Sequence, residues 1–149
     1  MWKKVAIGSI GLWAASFSLF LYLFFVGTGT KVDERVEIRL LPSERALILN
    51  EMRQLLEGIR GIVGAVAEND VGAITKAARG SGVGMAQDIN PALITKLPKA
   101  FKELGMNVHR RFDELAVGAS SMSSNDVLME LHDIMGSCVG CHVAYKITE

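Results

Sequence analysis

From Val5 to Thr30 the chain carries no charged side chain, although Lys3 and Lys4 stand before this stretch and Lys31 after it. Within it, Val5 to Val26 is apolar or small throughout and includes Trp13, Phe17, Phe20, Phe24 and Phe25. A helix needs about 20 such residues to cross the hydrocarbon core of a bilayer. The run therefore removes residues 1–30 from any water-soluble core and makes them a transmembrane anchor in the lipid bilayer. A signal peptide has a shorter apolar region, roughly 7–15 residues, followed by a small-residue cleavage site. Here the run is longer, and Val26-Gly27-Thr28-Gly29 is only a mediocre cleavage sequence, so an uncleaved anchor is the expectation. Positive charge stays on the cytoplasmic side. Lys3 and Lys4 then leave the N-terminus in the cytoplasm, with one pass of a bacterial inner membrane and the remaining domain in the periplasm.

Of the 16 Lys and Arg residues, two are Lys3 and Lys4; the 14 that remain face 16 Asp and Glu, a net charge of −2 from Lys31 onward. That balance lacks the basic patch of a nucleic-acid-binding domain. Gly27 to Lys31 reads as a short flexible exit from the membrane. Residues 31–41 mix charge with Val, Ile and Leu and read as a linker or helical extension.

Pro42 suits the first turn of a helix, where its missing N–H is not needed. Ile48, Met52, Leu55, Ile59, Ile62 and Val66 then recur at spacings of four and three, with Leu49, Leu56 and Val63 widening the seam. That is the apolar stripe of an amphipathic helix. Asn69 is a candidate cap for a second helix carrying Val71, Ile74, Ala77 and Ala78, which Gly80, Gly82 and Gly84 interrupt. Asp88, Asn90 and Pro91 mark a loop, and Pro98 restarts a helix. The third helix aligns Phe101, Leu104, Val108, Phe112, Leu115 and Ala119. After a polar turn capped by Ser123 or Ser124, the fourth aligns Val127 or Leu128, Leu131, Ile134, Cys138, Cys141 and Tyr145. No strand is evident. Short connections favour antiparallel neighbours. The expected fold is all-α: a transmembrane helix, then an antiparallel up-and-down four-helix bundle over residues 42–149.

The fourth helix carries Ser137-Cys-Val-Gly-Cys-His142, a C-x-x-C-H motif. Three residues are about 300° of helical rotation, and His142 returns to within about 40° of Cys138. Two thiols and one imidazole thus share a face, as required to bond two haem vinyl groups and offer a ring nitrogen to the iron. A redox C-x-x-C belongs near a strand–helix junction of a βαβ unit, and no such pattern exists here. A zinc site needs more ligands, whereas the chain has no other cysteine and only His109 and His132 besides. The motif points to one covalent haem c.

The segment Cys138-Val-Gly-Cys-His-Val-Ala-Tyr-Lys146 resembles the C-terminal helix of cytochrome c′ and its low-spin relatives, in which C-x-x-C-H is followed by x-x-Tyr and a basic residue. The resemblance covers about residues 42–149 and implies a four-helix bundle with haem at the end of its last helix. The anchor and the glycine-rich second helix depart from that family. The resemblance also implies that the distal side of the iron is covered from the first helix. Met52 on its seam is then the sixth ligand, and Leu55 or Leu56 would cover an open site instead. It further implies that Lys146 lies near the proximal imidazole and that Arg45 pairs with a propionate. Met85, Met106, Met122, Met129 and Met135 are less well placed. His109, beside Arg110 and Arg111, and His132 read as surface residues.

A thioether ligand gives a closed, low-spin iron suited to electron transfer. The function expected is a membrane-anchored monohaem cytochrome that carries electrons in the periplasm. Its partners are redox proteins, among them a membrane respiratory or photosynthetic complex, and a homodimer is a further assembly open to such a bundle. Two alternatives remain: a five-coordinate protein that binds NO or CO, and a fixed haem subunit of a larger membrane complex. No acid–base cluster points to an enzyme.

Overall fold

The computed structural model describes residues 2–26, 33–87 and 90–149. The Gly27–Lys31 exit, the cleavage sequence beyond Val26 and Asp88 lie outside the described residues. The chain divides into two compact units, Met1–Asp33 and Glu34–Glu149. The first unit contains helix α1, Trp2–Val26, whose 25 residues make it long and apolar enough to be a membrane span or a signal sequence. Trp2 to Tyr22 are exposed throughout.

The second unit is mostly helical. Its longer helices are α2 (Pro42–Glu68), α3 (Val71–Gly80), α5 (Lys99–Gly118) and α6 (Ser124–Ala144), with a short helix α4 (Pro91–Lys96) before α5. The four helices expected from the sequence are α2, α3, α5 and α6. Helix α4 occupies what the sequence suggested was loop: Asn90 accepts a hydrogen bond from the Ala92 N–H at 2.9 Å, and Pro91 starts the first turn. Asn69 does not cap α3. It ends α2 in the left-handed conformation (φ 54°), and Asp70 caps α3 by accepting from the Ala73 N–H. Asn is among the few non-glycine residues that tolerate that backbone geometry. Ser123 caps α6 in a reciprocal capping box with Asp126, whose carboxyl is held below its usual range by the Ser123 hydroxyl and backbone N–H.

Two further corrections concern strands. Val36–Arg39 forms strand β1 and Tyr145–Thr148 forms β2, and they pair in parallel with Val36 opposite Tyr145 and Arg39 opposite Thr148. Residues 36–39 are thus neither linker nor helical extension, and Tyr145 follows α6 rather than extending it. The clip is tied at its start by Arg35 Nη1 donating to the His142 carbonyl at 3.4 Å, and at its end by the Leu40 N–H donating to the Thr148 carbonyl at 3.0 Å.

Helix α2 packs on α3, α3 on α5, α5 on α6, and α6 on α2. Their apolar faces meet in a core of Ile62, Val66, Ile74, Val108, Phe112, Leu115, Val127, Leu131 and Ile134. Of the interrupting glycines Gly82 has a packing role, and Gly58 in α2 has another, whereas a Cβ at Gly80 or Gly84 would meet nothing. A Cβ at Gly82 would strike the Asp113 carboxylate, which accepts the Val83 N–H at 2.9 Å, and a Cβ at Gly58 would strike the Ser81 hydroxyl. Close approach of α3's end to α2 and α5 therefore requires both glycines.

A smaller cluster joins Ile38 and Leu40 to Ile48 and Leu93, with Met52, Leu97, Phe101, Tyr145 and Ile147 against it. The globular core thus begins at Ile38, before Pro42. Ile38 and Leu40 are 3% and 5% exposed. Burying one such side chain is worth about 1.5–3 kcal/mol. A chain starting at Lys31 should therefore unfold at the midpoint of the full-length domain. One starting at Pro42 should lose about 3–6 kcal/mol in denaturant titration, and equal midpoints would show the clip to be energetically idle.

Candidate functional site

The C-terminal turns of α6 carry the motif. Its core face runs Val127, Leu131, Ile134 and then Cys138 and Cys141, so the register that buries the apolar residues also turns both thiols inward. Both cysteines are free and half-buried. Burial pushes both thiols above their ordinary pKa, and Cys141 is raised further by Cys138 beside it. His142 is exposed.

Cys138, Cys141 and His142 line a cavity of about 450 Å³. That lies within the range of about 300–1,000 Å³ that holds small ligands and cofactors. Helix α2 supplies Leu47, Ile48, Met52 and Leu55; α4 and the turn after it supply Leu93, Ile94 and Leu97; α5 supplies Phe101, Leu104, Met106 and Val108. Ile48 and Leu93 belong to the smaller core cluster, while Val108 belongs to the larger one, so the cavity lies where the core is divided. Several wall residues are left open to water: Leu47 is 60% exposed and Ile94 39%. Among the described residues no buried polar side-chain atom lacks a hydrogen-bond partner. The wall is mainly apolar and suits a largely apolar occupant.

Of the residues singled out in the sequence, Cys138, Cys141, His142 and Met52 meet in this one wall. Arg45 and Lys146 are not in it. Arg45 pairs with Glu149 at 3.8 Å, and Lys146 lies in β2 opposite Glu37. Leu55 is in the wall, whereas Leu56 is 64% exposed and outside it. Of the other methionines, Met85 and Met106 reach the wall, and Met122, Met129 and Met135 do not.

His132 is exposed as expected, but His109 is not a surface residue: it is 4% exposed and lines the cavity. Its Nδ1 lies 2.8 Å from the Ser81 carbonyl and its Nε2 lies 3.1 Å from Glu51 Oε1. Neither a carbonyl nor a carboxylate donates, so a ring that donates from both nitrogens satisfies both contacts. Burial alone would lower its pKa, but the Glu51 hydrogen bond, the Ser81 carbonyl and the Glu51 charge outweigh that, and the net shift is upward. The sequence held a signal for this: His109, Phe112 and Ala116 follow the helical spacing of three and four, on α5's buried face. Lys102 was also missed. Among the described residues it is the one Lys or Arg in the wall.

A haem fits this donor set. No three His, Cys, Asp or Glu side chains among the described residues converge to hold a bare metal ion. Two thiols, an adjacent imidazole and an apolar cavity suit a flat, hydrophobic macrocycle that brings its own iron. No protein-family model, curated protein or solved structure matches this chain.

Proposed function

We propose that this chain is a membrane-anchored monohaem c-type cytochrome of the cytochrome c′ kind, an up-and-down four-helix bundle that carries electrons in the periplasm of a bacterium. The observation that carries this reading is the apolar cavity of about 450 Å³ whose wall holds Cys138, Cys141 and His142 together with Met52. Cys138 and Cys141 would hold the haem through thioether bonds, His142 would ligate its iron, and Met52 would fill the sixth position. A bound haem supplies one-electron exchange between ferric and ferrous iron.

The chain's own residues set the conditions of that exchange. Leu55, Leu93 and Phe101 would exclude water from the wall. A low local dielectric disfavours added charge and so favours the ferrous state. Lys102, which lines the cavity, would meet a propionate, a role that the resemblance gave to Arg45. Helix α1 would keep the domain beside membrane oxidoreductases and raise its effective concentration there. The reading is a carrier rather than an enzyme.

The test is the intact mass of the full chain, expressed with c-type haem maturation and purified in detergent. The mass should exceed that of the sequence by one haem, with no thiol free to alkylation. An unmodified chain with two reactive thiols would overturn the proposal.

A further inference from the structure

The stretch of α2 that faces the cavity is weakly held. Between Ile48 and Ile62 no α2 side chain is fully buried, and Leu55 and Ile59 only lean on the core. Asn50, Arg53, Gln54 and Leu56 face water. Among the described residues, one side-chain hydrogen bond ties this stretch to another element, and it is the contact of Glu51 with His109. His109 is itself anchored on α5 and on the Ser81 carbonyl at the end of α3. Glu51 directly precedes Met52, and both line the cavity. Fixing the Glu51 side chain therefore fixes the rotation of the turn that aims Met52.

We propose that His109 is a positioning residue, whose bond to Glu51 holds the α2 turn so that the Met52 sulfur faces the iron. This rests on the reading of Met52 as axial ligand. The chemistry that would carry it is a partly buried, charge-assisted hydrogen bond, among the stronger polar contacts a protein makes.

The two ring nitrogens can be separated by substitution. In His109→Gln the amide nitrogen falls where Nε2 was and keeps Glu51. In His109→Asn it falls where Nδ1 was and keeps Ser81 but releases Glu51. The readouts are the long-wavelength sulfur-to-iron band of the ferric holoprotein and the rate of CO binding to the ferrous form. His109→Asn should weaken the band by about a tenth and bind CO roughly tenfold faster, since a fall in the ligated fraction from about 99% to about 90% opens the site tenfold. His109→Gln and Glu51→Gln, which retain a hydrogen bond across the gap, should stay near wild type. The proposal is overturned if Asn and Gln at 109 behave alike: both unchanged means that the ring only fills space, and both impaired in step with the unfolding midpoint means a general structural role. A wild-type protein with no sulfur band, or a band that survives Met52→Leu, overturns it by a separate route, through the ligand reading itself.

Discussion

Replacing Cys138 and Cys141 together by alanine should leave a chain of full length with no colour on a denaturing gel stained for haem peroxidase activity. Both thiols are free, half-buried and on the face of α6 that lines the cavity, so both are presented to one occupant. Burial raises the pKa of both thiols. Each single variant keeps one thioether and should retain stain at reduced intensity. The double variant retains at most ligation by His142 and Met52, which denaturation removes. The change to the protein is small, because neither cysteine is fully buried and, among the described residues, the side-chain hydrogen bond lost is the 3.6 Å contact of Cys138 Sγ with the Ile134 carbonyl. Such a site costs on the order of 1 kcal/mol. Loss of colour would then report loss of attachment and not of the fold. Stain that survives the double replacement would remove the basis of the functional reading.

The helices of the globular part were legible because their seams are long. Ile48, Ile62 and Val66 on α2, and Phe112 and Leu115 on α5, repeat over enough turns for a period of 3.6 to stand out. The strands were not legible, for a physical reason. Val36-Glu37-Ile38-Arg39 does alternate apolar with charged, but four residues are too few to separate that period from a helical one, and the partner Tyr145–Thr148 lies at the other end of the chain. Helix α4 has six residues, shorter than two turns, so only its cap Asn90 and Pro91 could announce it. Asn69 and Asp70 are both residue types that cap N-termini, and which of them ends α2 depends on a left-handed φ that sequence does not display. The thiols and His142 could be proposed from the sequence because the C-x-x-C-H spacing is local to five residues. Lys102 and the His109–Glu51 pair could not, because the wall that Lys102 joins and the partner that His109 meets are brought together from several helices.

Met52→Leu should convert the oxidised protein from a low-spin spectrum with a weak long-wavelength sulfur-to-iron band to one without that band. It should also lower the reduction potential and open the reduced protein to CO. Met52 is half-buried on α2 and lines the cavity that His142 borders from α6, so the two donors approach from different helices. A sulfur ligand favours ferrous iron, and its loss moves the balance toward ferric. Leucine nearly conserves the volume of methionine and should cost less than about 1.5 kcal/mol, so the spectral change would arise in a folded protein. Met52→Ala should give the same spectrum with greater loss of stability, since it leaves a void beside Ile48 and Leu93, and large-to-small changes at buried sites cost about 2–5 kcal/mol. Met85 and Met106 also reach the wall and provide the internal control. Met85→Leu and Met106→Leu should keep the band, and loss of it in either would transfer the ligand role to that residue. A wild-type protein that is already high-spin and takes CO readily would demote Met52 to packing. Leu55, one turn along α2 and in the same wall, would then cover the distal face, and binding of NO or CO would replace electron transfer as the function of the site.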